Sequence, residues 1–450
     1  MSSPFDQSAL LAIAEQLVAA ARRAGADAAE AVAVRGVSQS VEVRQGSVEE
    51  STLSEDDDVG LRVLIGRRQA VVSTNDLVHE GADALAERAI AMARVAPEDP
   101  FAGLADPDLL AREWPDLDLL DPAMPSTRVL EERAQAAEAA ALAVPGVTKS
   151  GGASASVGIG GMVLVTSAGF TGRYLGSRHS VSMQAIAGEG TAMERDYDFS
   201  SSVHAADLDD PEIVGRNAGE RAVRRLNPRK VPTQRAPVVY HARAAGSLLS
   251  HLTSAINGSA IVRKTSFLQD KLHGTLFPAN IRIIDDPHRR RGLRSHPFDA
   301  EGVAGQPRAL IDAGVLTTFL LDSATARELG MTSTGHAQRG VSSTPSPGPS
   351  NVHLEPGAVS PEALIKDIEQ GLYITDLIGM GVNLVTGDYS RGAAGFWIER
   401  GELTFPVSEV TVAGNLADMF RTLQPADDLE FRYGINAPTV RVEGLTVAGL

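Results

Sequence analysis

The chain has 450 residues, of which 43% are hydrophobic and only 4% aromatic, and its formal net charge is −16. The negative charge argues against a nucleic acid or an anionic membrane as partner, since both bind clusters of Lys and Arg. The absence of cysteine excludes disulfides, thiol nucleophiles and every metal site that needs a thiolate.

The first predicted domain, residues 1–105, begins with an amphipathic helix, SALLAIAEQLVAAARRAG, that ends at a glycine. Polar and apolar residues then alternate over 29–51 and 59–74, and they predict strands separated by an acidic turn, SEDDD. A second helix is predicted over 76–94, after an Asn-Asp cap. A Pro- and Asp-rich linker follows this α+β unit.

Two further domains are predicted, at 115–228 and 235–450. The central one has helices near 126–143 and 210–227, with short strands rich in Ser, Gly and Val between them. The last has many glycine turns and short apolar runs, which are typical of strands folded on each other. We therefore predict an α+β fold, with N-terminal α/β domains followed by a large, mostly β C-terminal domain.

Neither a leader peptide nor an apolar membrane-spanning run is evident, and we expect a cytoplasmic protein. P-loop and Gly-x-Ser-x-Gly patterns do not occur. The only His-Glu pair is His79-Glu80, and Asp83 stands where a zincin needs its second histidine. We expect polar residues at a helix start there and no metal.

Four acidic residues suggest a different metal hypothesis. They would suit Mg²⁺ or Ca²⁺ if their oxygens converge, although Asp-Asp-Pro is also an ordinary turn. The four are Asp285, Asp286, Asp299 and Glu301.

Several runs together resemble the PmbA (TldE) branch of the TldD/PmbA family over nearly the whole chain. The specific ones are PFDAEGV at 297–303 and VTGDYSRGAAGFWIE at 385–399, with TSAGFTG and DYDFSS earlier in the chain. The resemblance implies a cytoplasmic, two-subunit metallopeptidase that trims peptides. In that family TldD binds zinc through His-Glu-x-x-x-His and a downstream cysteine, and PmbA is its paralogous partner.

The family's zinc motif is incomplete in this chain. The resemblance puts its first histidine at His251, its glutamate at Leu252 and its second histidine at Ile256. A peptidase zinc needs about three protein ligands and an open position for water. Because Leu248, Leu252 and Ile256 form one apolar stripe, His251 is either a packed residue at its edge or a ligand given to a shared site. We predict a vacant zinc site and no cofactor in this chain, with zinc in a TldD-like partner.

A turn-rich run in the last domain is the candidate peptide cleft. Its backbone amides can pair with an extended peptide, and Tyr389 and Arg391 can meet a side chain or a terminal carboxylate. The alternative is a structural turn in which Asp388 caps local amides. The candidates are Asn383, Thr386, Gly387, Asp388, Tyr389, Ser390 and Arg391.

The leading functional prediction is the non-catalytic, channel-forming partner of a TldD-like zinc subunit, acting on extended peptides. One alternative is an independent homodimeric hydrolase that uses Asp388, Tyr389 or the Asp299/Glu301 pair as acid and base. Another is a peptide-binding regulatory protein. None of these readings involves nucleic acid or a membrane.

Overall fold

The computed structural model describes residues 6–76 and 81–449, and the His79-Glu80 pair lies outside them. Four of the described helices lie in the two N-terminal segments, and five lie in the C-terminal domain, where all but Ala242–Ala255 have seven residues or fewer. Helices α1 to α9 are Ser8–Arg23, Ala82–Val95, Thr127–Leu142, Pro211–Arg224, Ala242–Ala255, Gly258–Val262, Ser323–Leu329, Pro361–Ile365 and Leu416–Arg421.

The two N-terminal segments share one antiparallel sheet of six strands in the order β3-β2-β1-β4-β5-β6. Strands β1 to β6 are Ala28–Arg44, Ser47–Ile65, Arg68–Thr74, Val147–Thr166, Thr171–Ala187 and Glu194–Ser202. Strand β1 joins the halves because it pairs with β2 on one side and with β4 on the other. Helices α1 and α2 pack against the first half of the sheet, and α3 and α4 against the second.

Two local predictions for this sheet were wrong. The SEDDD run, 54–58, is no turn but part of β2, opposite 34–38 of β1, and the chain reverses at Gln45 and Gly46 instead. Over 54–58 β2 has no second strand partner among the described residues, and the side chains of Glu55, Asp56 and Asp57 are exposed to water. Strands β4 and β5 are long rather than short. Helix α2 begins at Ala82, and residues 77–80 of the helix predicted over 76–94 lie outside the described residues.

The C-terminal domain is built on a closed barrel. Strands β14, β7, β20, β17 and β16 pair in that order, and β16 pairs with β14 to close the ring. Strand β15 pairs antiparallel with the first residues of β16. These six strands are β7 Gln234–Tyr240, β14 Gln370–Ile378, β15 Val382–Asn383, β16 Asp388–Glu399, β17 Glu402–Asn415 and β20 Val440–Ala448.

Shorter strands complete this domain. They are β8 Ile283–Asp285, β9 Arg308–Asp312, β10 Val315–Leu316, β11 Ala337–Gln338, β12 Ser346–Pro347, β13 Val352–Leu354, β18 Gln424–Pro425 and β19 Ile435–Asn436. Its main core is aliphatic with a few aromatic rings, and α5 packs into that core through one face.

The predicted fold class is confirmed, since α/β segments precede a mostly β domain. The Pro- and Asp-rich linker has only one short 3-10 turn, at Pro107–Leu109, but it packs tightly against the C-terminal domain. The Ala111 N–H donates to the Gly302 carbonyl at 2.9 Å, and the Ala304 N–H donates to the Leu109 carbonyl at 3.0 Å. In the part of the chain described, no helix is long and apolar enough to cross a membrane.

Candidate functional site

Helix α5 carries His251, and the residues at the two other positions of the family's zinc motif, Leu252 and Ile256, lie inside the core. Leu248, Leu252 and Ile256 are almost completely buried, as their shared stripe predicts. The helix ends at Ala255, so position 256 lies just beyond it and off its regular geometry. The side chains of leucine and isoleucine have no atom that can bind a metal ion. The residues at these positions therefore do not fit a zinc ion held by this motif.

His251 lies against an aromatic residue of the candidate cleft. Its ring centroid is 6.0 Å from that of Tyr389, at an interplanar angle of 75°. The Nε2 atom is buried and has no hydrogen-bond partner among the described residues. Burial and then the charge of Arg391 lower the pKa of His251 from 6.5 to about 4. The imidazole is therefore neutral at pH 7.

Tyr240, at the end of β7, completes a buried polar cluster with His251 and Tyr389. Both tyrosine hydroxyls are buried near each other, yet neither makes a well-formed hydrogen bond with another described residue. Burial raises the pKa of both tyrosines. Sequence reasoning missed Tyr240, because it ends an ordinary apolar strand and only the barrel brings it to Tyr389.

The candidate cleft residues form the tight β15–β16 hairpin at the end of the barrel sheet. The Gly387 N–H donates to the Asn383 carbonyl at 2.8 Å, and the Leu416 N–H donates to the Gly387 carbonyl at 2.7 Å. Thr386 Oγ1 donates to Asp388 Oδ2 at 2.6 Å, and Asn415 Nδ2 donates to the Thr386 carbonyl at 3.0 Å. Local hydrogen bonds thus fix the turn.

Strand alternation divides these residues between two environments. Asn383, Thr386, Asp388 and Ser390 are exposed, whereas Tyr389 is 1% exposed. Gly387 has φ +80°, and an added Cβ would lie 3.1 Å from Asn415 Oδ1. Arg391 is half-buried, and its Nε donates to the Ile378 carbonyl at 3.3 Å. The structure thus brings the seven into one hairpin, where Asp388 and Tyr389 face opposite ways.

The four acidic residues proposed for Mg²⁺ or Ca²⁺ do not converge on a cation. Asp285 accepts from the Ser350 N–H at 2.9 Å, and Asp286 from the His288 N–H at 2.9 Å. In the residues that the structure describes, no group of three His, Asp or Glu side chains is placed to hold a metal ion.

Asp299 and Glu301 are both fully enclosed. Asp299 accepts from the backbone N–H groups of Glu301 and Val303 at 2.9 Å and of Ala337 at 3.0 Å. Burial raises the pKa of Asp299 to about 6 and, with the charge of Asp299, that of Glu301 to about 8. Glu301 Oε2 accepts from the Ser323 N–H at the start of α7. Both carboxyl groups thus accept backbone hydrogen bonds, which stabilise the fold.

Comparison with protein families supports the resemblance along the chain. The models of the PmbA/TldA metallopeptidase match domain 1 at 29–93, the central domain at 120–226 and the C-terminal domain at 233–449. The chain is 39% identical over 425 residues to metalloprotease PmbA of Escherichia coli O157:H7, covering 94% of this chain and 92% of that protein. It is 38% identical over 433 residues to a metalloprotease PmbA homolog of Haemophilus influenzae, covering 95% and 94%.

Solved structures share the whole architecture. A chain from Bacteroides thetaiotaomicron superposes with a TM-score of 0.90 at 29% identity, covering 98% of this chain and 99% of that one. TldE from Thermococcus kodakarensis has the same fold, with a TM-score of 0.85 at 20% identity over 97% of this chain and 100% of that one. Sequence, fold and domain order agree: this chain belongs to the PmbA/TldE branch of the TldD/PmbA metallopeptidase family.

Proposed function

We propose that this chain is the non-catalytic subunit of a cytoplasmic TldD–TldE-type metallopeptidase that processes peptides, and that it forms part of the peptide channel. One observation carries the proposal: Leu252 and Ile256 fill the core where the family's zinc motif has glutamate and histidine. The chain also has no cysteine to serve as the downstream ligand. Zinc, and the water that it activates, would then come from the TldD-like partner.

The β15–β16 hairpin supports a role in holding peptide. Strand β15 lies at the end of the barrel sheet, so an extended segment can add beside it by main-chain hydrogen bonds. The hairpin's own hydrogen bonds keep it rigid, which reduces the entropy lost on binding. The exposed side chains of Asn383, Thr386, Asp388 and Ser390 are the contacts that we assign to the peptide.

Metal content and cleavage, measured in the same tubes, test the proposal. The purified chain alone, a TldD-like protein alone and an equimolar mixture are assayed for zinc by atomic absorption and for hydrolysis of an unstructured peptide. We expect the lone chain to be free of zinc and inactive. We expect the mixture to cleave, and a chelator to abolish this cleavage.

Other results would favour the alternative functions. Cleavage by the lone chain, with or without zinc, would support an independent homodimeric hydrolase and overturn the proposal. A mixture that cleaves no faster than the TldD-like protein alone would overturn it in favour of a peptide-binding regulatory protein. Sedimentation of the lone chain shows whether a homodimer forms when the partner is missing.

A further inference from the structure

A cavity lies where the central segment meets the C-terminal barrel. Its volume is about 190 Å³, which is enough for a small anion and less than the roughly 300–1,000 Å³ of pockets for drug-sized ligands. The last turn of α4, the start of α5 and strands β14, β16 and β17 surround it. Among the described residues, its charged lining is four arginines and a single carboxylate, namely Arg221, Arg224, Arg225, Arg243 and Asp196.

Arg224 is the arginine of this lining that has no ionic partner among the described residues. Its guanidinium lies over the ring of Phe396, with 4.8 Å between Cζ and the ring centroid. The residue is exposed, and its side chain makes no hydrogen bond with another described residue. Stacking on an aromatic face leaves the edge nitrogens of a guanidinium free to donate. Arg224 is therefore an unused anion-binding group.

The other three arginines have ionic partners, but of these carboxylates in the described chain only Asp196 lines the cavity. Arg221 Nη1 pairs with Asp198 at 2.7 Å, and Arg243 Nη2 pairs with Asp196 at 2.8 Å. The side chains of Arg221, Arg225 and Arg243 stay 30%, 13% and 10% exposed. None of their unbonded nitrogens is closed off from water. The carboxylates that pair with Arg225 are Asp196, Glu194 and Asp376.

Neighbouring positive charge acts on His241, which also lines the cavity. Burial and then guanidinium charges lower its pKa from 6.5 to about 4. The guanidiniums are those of Arg221, Arg243 and Arg224, and Asp428 partly opposes them. Surroundings whose charge disfavours a cation favour an anion.

His241 and the start of α5 add to the attraction for an anion. His241 is the N-cap of this 14-residue helix, whose N-terminal end carries partial positive charge. Its Nδ1 accepts from the Arg243 N–H at 3.2 Å, so the neutral imidazole carries its proton on Nε2. Nε2 has no hydrogen-bond partner among the described residues, and it is not one of the atoms closed off from water. It is a free donor.

We propose that this cavity binds a phosphate group, with its oxygens on the guanidiniums of Arg224 and Arg221 and on the Nε2–H of His241. A phosphate group has about two negative charges and at least three acceptor oxygens, so it accepts from donors on several sides, whereas a carboxylate has one charge and two oxygens. The donors come from the last turn of α4 and the start of α5. A bound phosphate group therefore ties the central segment to the C-terminal domain.

A second cavity bears on the source of the phosphate group. It has a volume of about 390 Å³ and shares Tyr373 and Leu403 with the first. Pro361 and Ile365 of α8 give it an apolar wall. The ligand is inorganic phosphate or a phosphomonoester whose apolar body lies in this second cavity, and affinity distinguishes the two.

Calorimetry on the lone chain at pH 7 tests the site with inorganic phosphate, phenyl phosphate and benzoate at equal ionic strength. We expect one phosphate group per chain with a dissociation constant below about 1 mM. We expect it to bind at least about tenfold more tightly than benzoate. Tighter binding of phenyl phosphate identifies a phosphomonoester as the ligand, and equal or weaker binding identifies inorganic phosphate. No binding of either phosphate, or benzoate binding as tightly, would overturn the proposal.

Variants locate the binding. Arg224→Gln removes the guanidinium and breaks no ion pair of the described chain, so we expect a normal circular dichroism spectrum and a phosphate affinity lower by about tenfold or more. Arg224→Lys keeps the charge without the fork and should bind with intermediate affinity. Arg216→Gln, at an exposed position about two turns earlier in α4, is the matched control and should bind like the parent. Parent-like binding by Arg224→Gln would mean that the site is elsewhere.

NMR of the parent protein gives a readout that needs no variant. The ring signals of His241 and the Nε–H signal of Arg224 should shift saturably with phosphate at pH 7, whereas NaCl at the same ionic strength should leave them in place. Phosphate binding that moves neither set of signals would overturn the assignment. Phosphate binding does not depend on the subunit role, because it is measured without a partner and cleavage is measured with one.

Discussion

The surroundings of His251 disfavour the protonated imidazole, because burial and then the charge of Arg391 lower its pKa. Because its folded pKa of about 4 lies below the ordinary 6.5, the unfolded chain binds more protons between those two values. Protein stability should therefore rise with pH across this window. His251→Leu should flatten the rise, which urea unfolding at several pH values would measure. NMR titration of the imidazole gives the pKa directly, and a value near 6.5 would contradict the buried neutral state.

Glu30 is the second residue whose charge matters to the fold. Burial raises its pKa, but Arg339 and Arg62 outweigh burial and lower it below 4.5. A depressed carboxyl pKa stabilises the fold above 4.5, and this stabilisation is lost as pH falls through the folded pKa. Glu30→Gln leaves two buried guanidiniums without their counter-ion and should cost about 3 kcal/mol of unfolding free energy. Guanidinium unfolding at pH 7 checks this, and an unchanged midpoint would contradict it.

At the scale of elements, strand β2 and the loop over 340–351 can pack against each other only because Gly60 has no side chain. An added Cβ there would lie 1.9 Å from the Val341 carbonyl oxygen. The Pro, Ser and Gly composition of that loop is typical of a mobile or PPII-like segment, but the loop contains β12 and buries Ser350 and Asn351. Its Pro and Gly content could not reveal this packing.

Gly60→Ala should destabilise the protein by about 1–3 kcal/mol, because the loop must move away from β2. Thermal unfolding measures the loss. Gly36→Ala on the neighbouring strand is the matched control, since nothing lies within 4 Å of its added Cβ. It should be neutral or stabilising by about 0.5 kcal/mol, because alanine lowers the entropy of the unfolded chain. Equal losses in the two variants would mean that the contact is not the cause.

For the whole molecule, Asp196 links the central segment to the C-terminal domain. Its carboxylate is buried and pairs with Arg243 of α5 at 2.8 Å and with Arg225 at 3.3 Å. Asp196→Asn should lower the unfolding free energy by about 3 kcal/mol and increase amide exchange in β6 and α5, because the buried guanidinium of Arg243 loses its carboxylate partner and that of Arg225 keeps only Glu194 and Asp376. Asp207→Asn is the control. It breaks a solvent-exposed pair with Arg291 across the same two parts, and it should leave stability unchanged.

The sequence by itself determined the fold class, the family and the existence of the four helices in the N-terminal segments. These follow from local patterns: apolar periodicity predicts helices, and a motif is read from consecutive residues. The SEDDD run was wrongly predicted as a turn because an exposed stretch of strand can have the same acidic composition as a turn.

Only the tertiary structure decided which distant residues meet. Tyr240 reaches Tyr389 because the barrel closes, and Glu30 reaches Arg339, 309 positions away, because the C-terminal domain packs on the first sheet. Among the described residues, Nε and Nη2 of Arg339 and Nε2 of His296 are buried without a hydrogen-bond partner, and only the packed structure reveals this. Hydrogen-bond satisfaction is a property of packed surroundings, and sequence spacing carries no record of it.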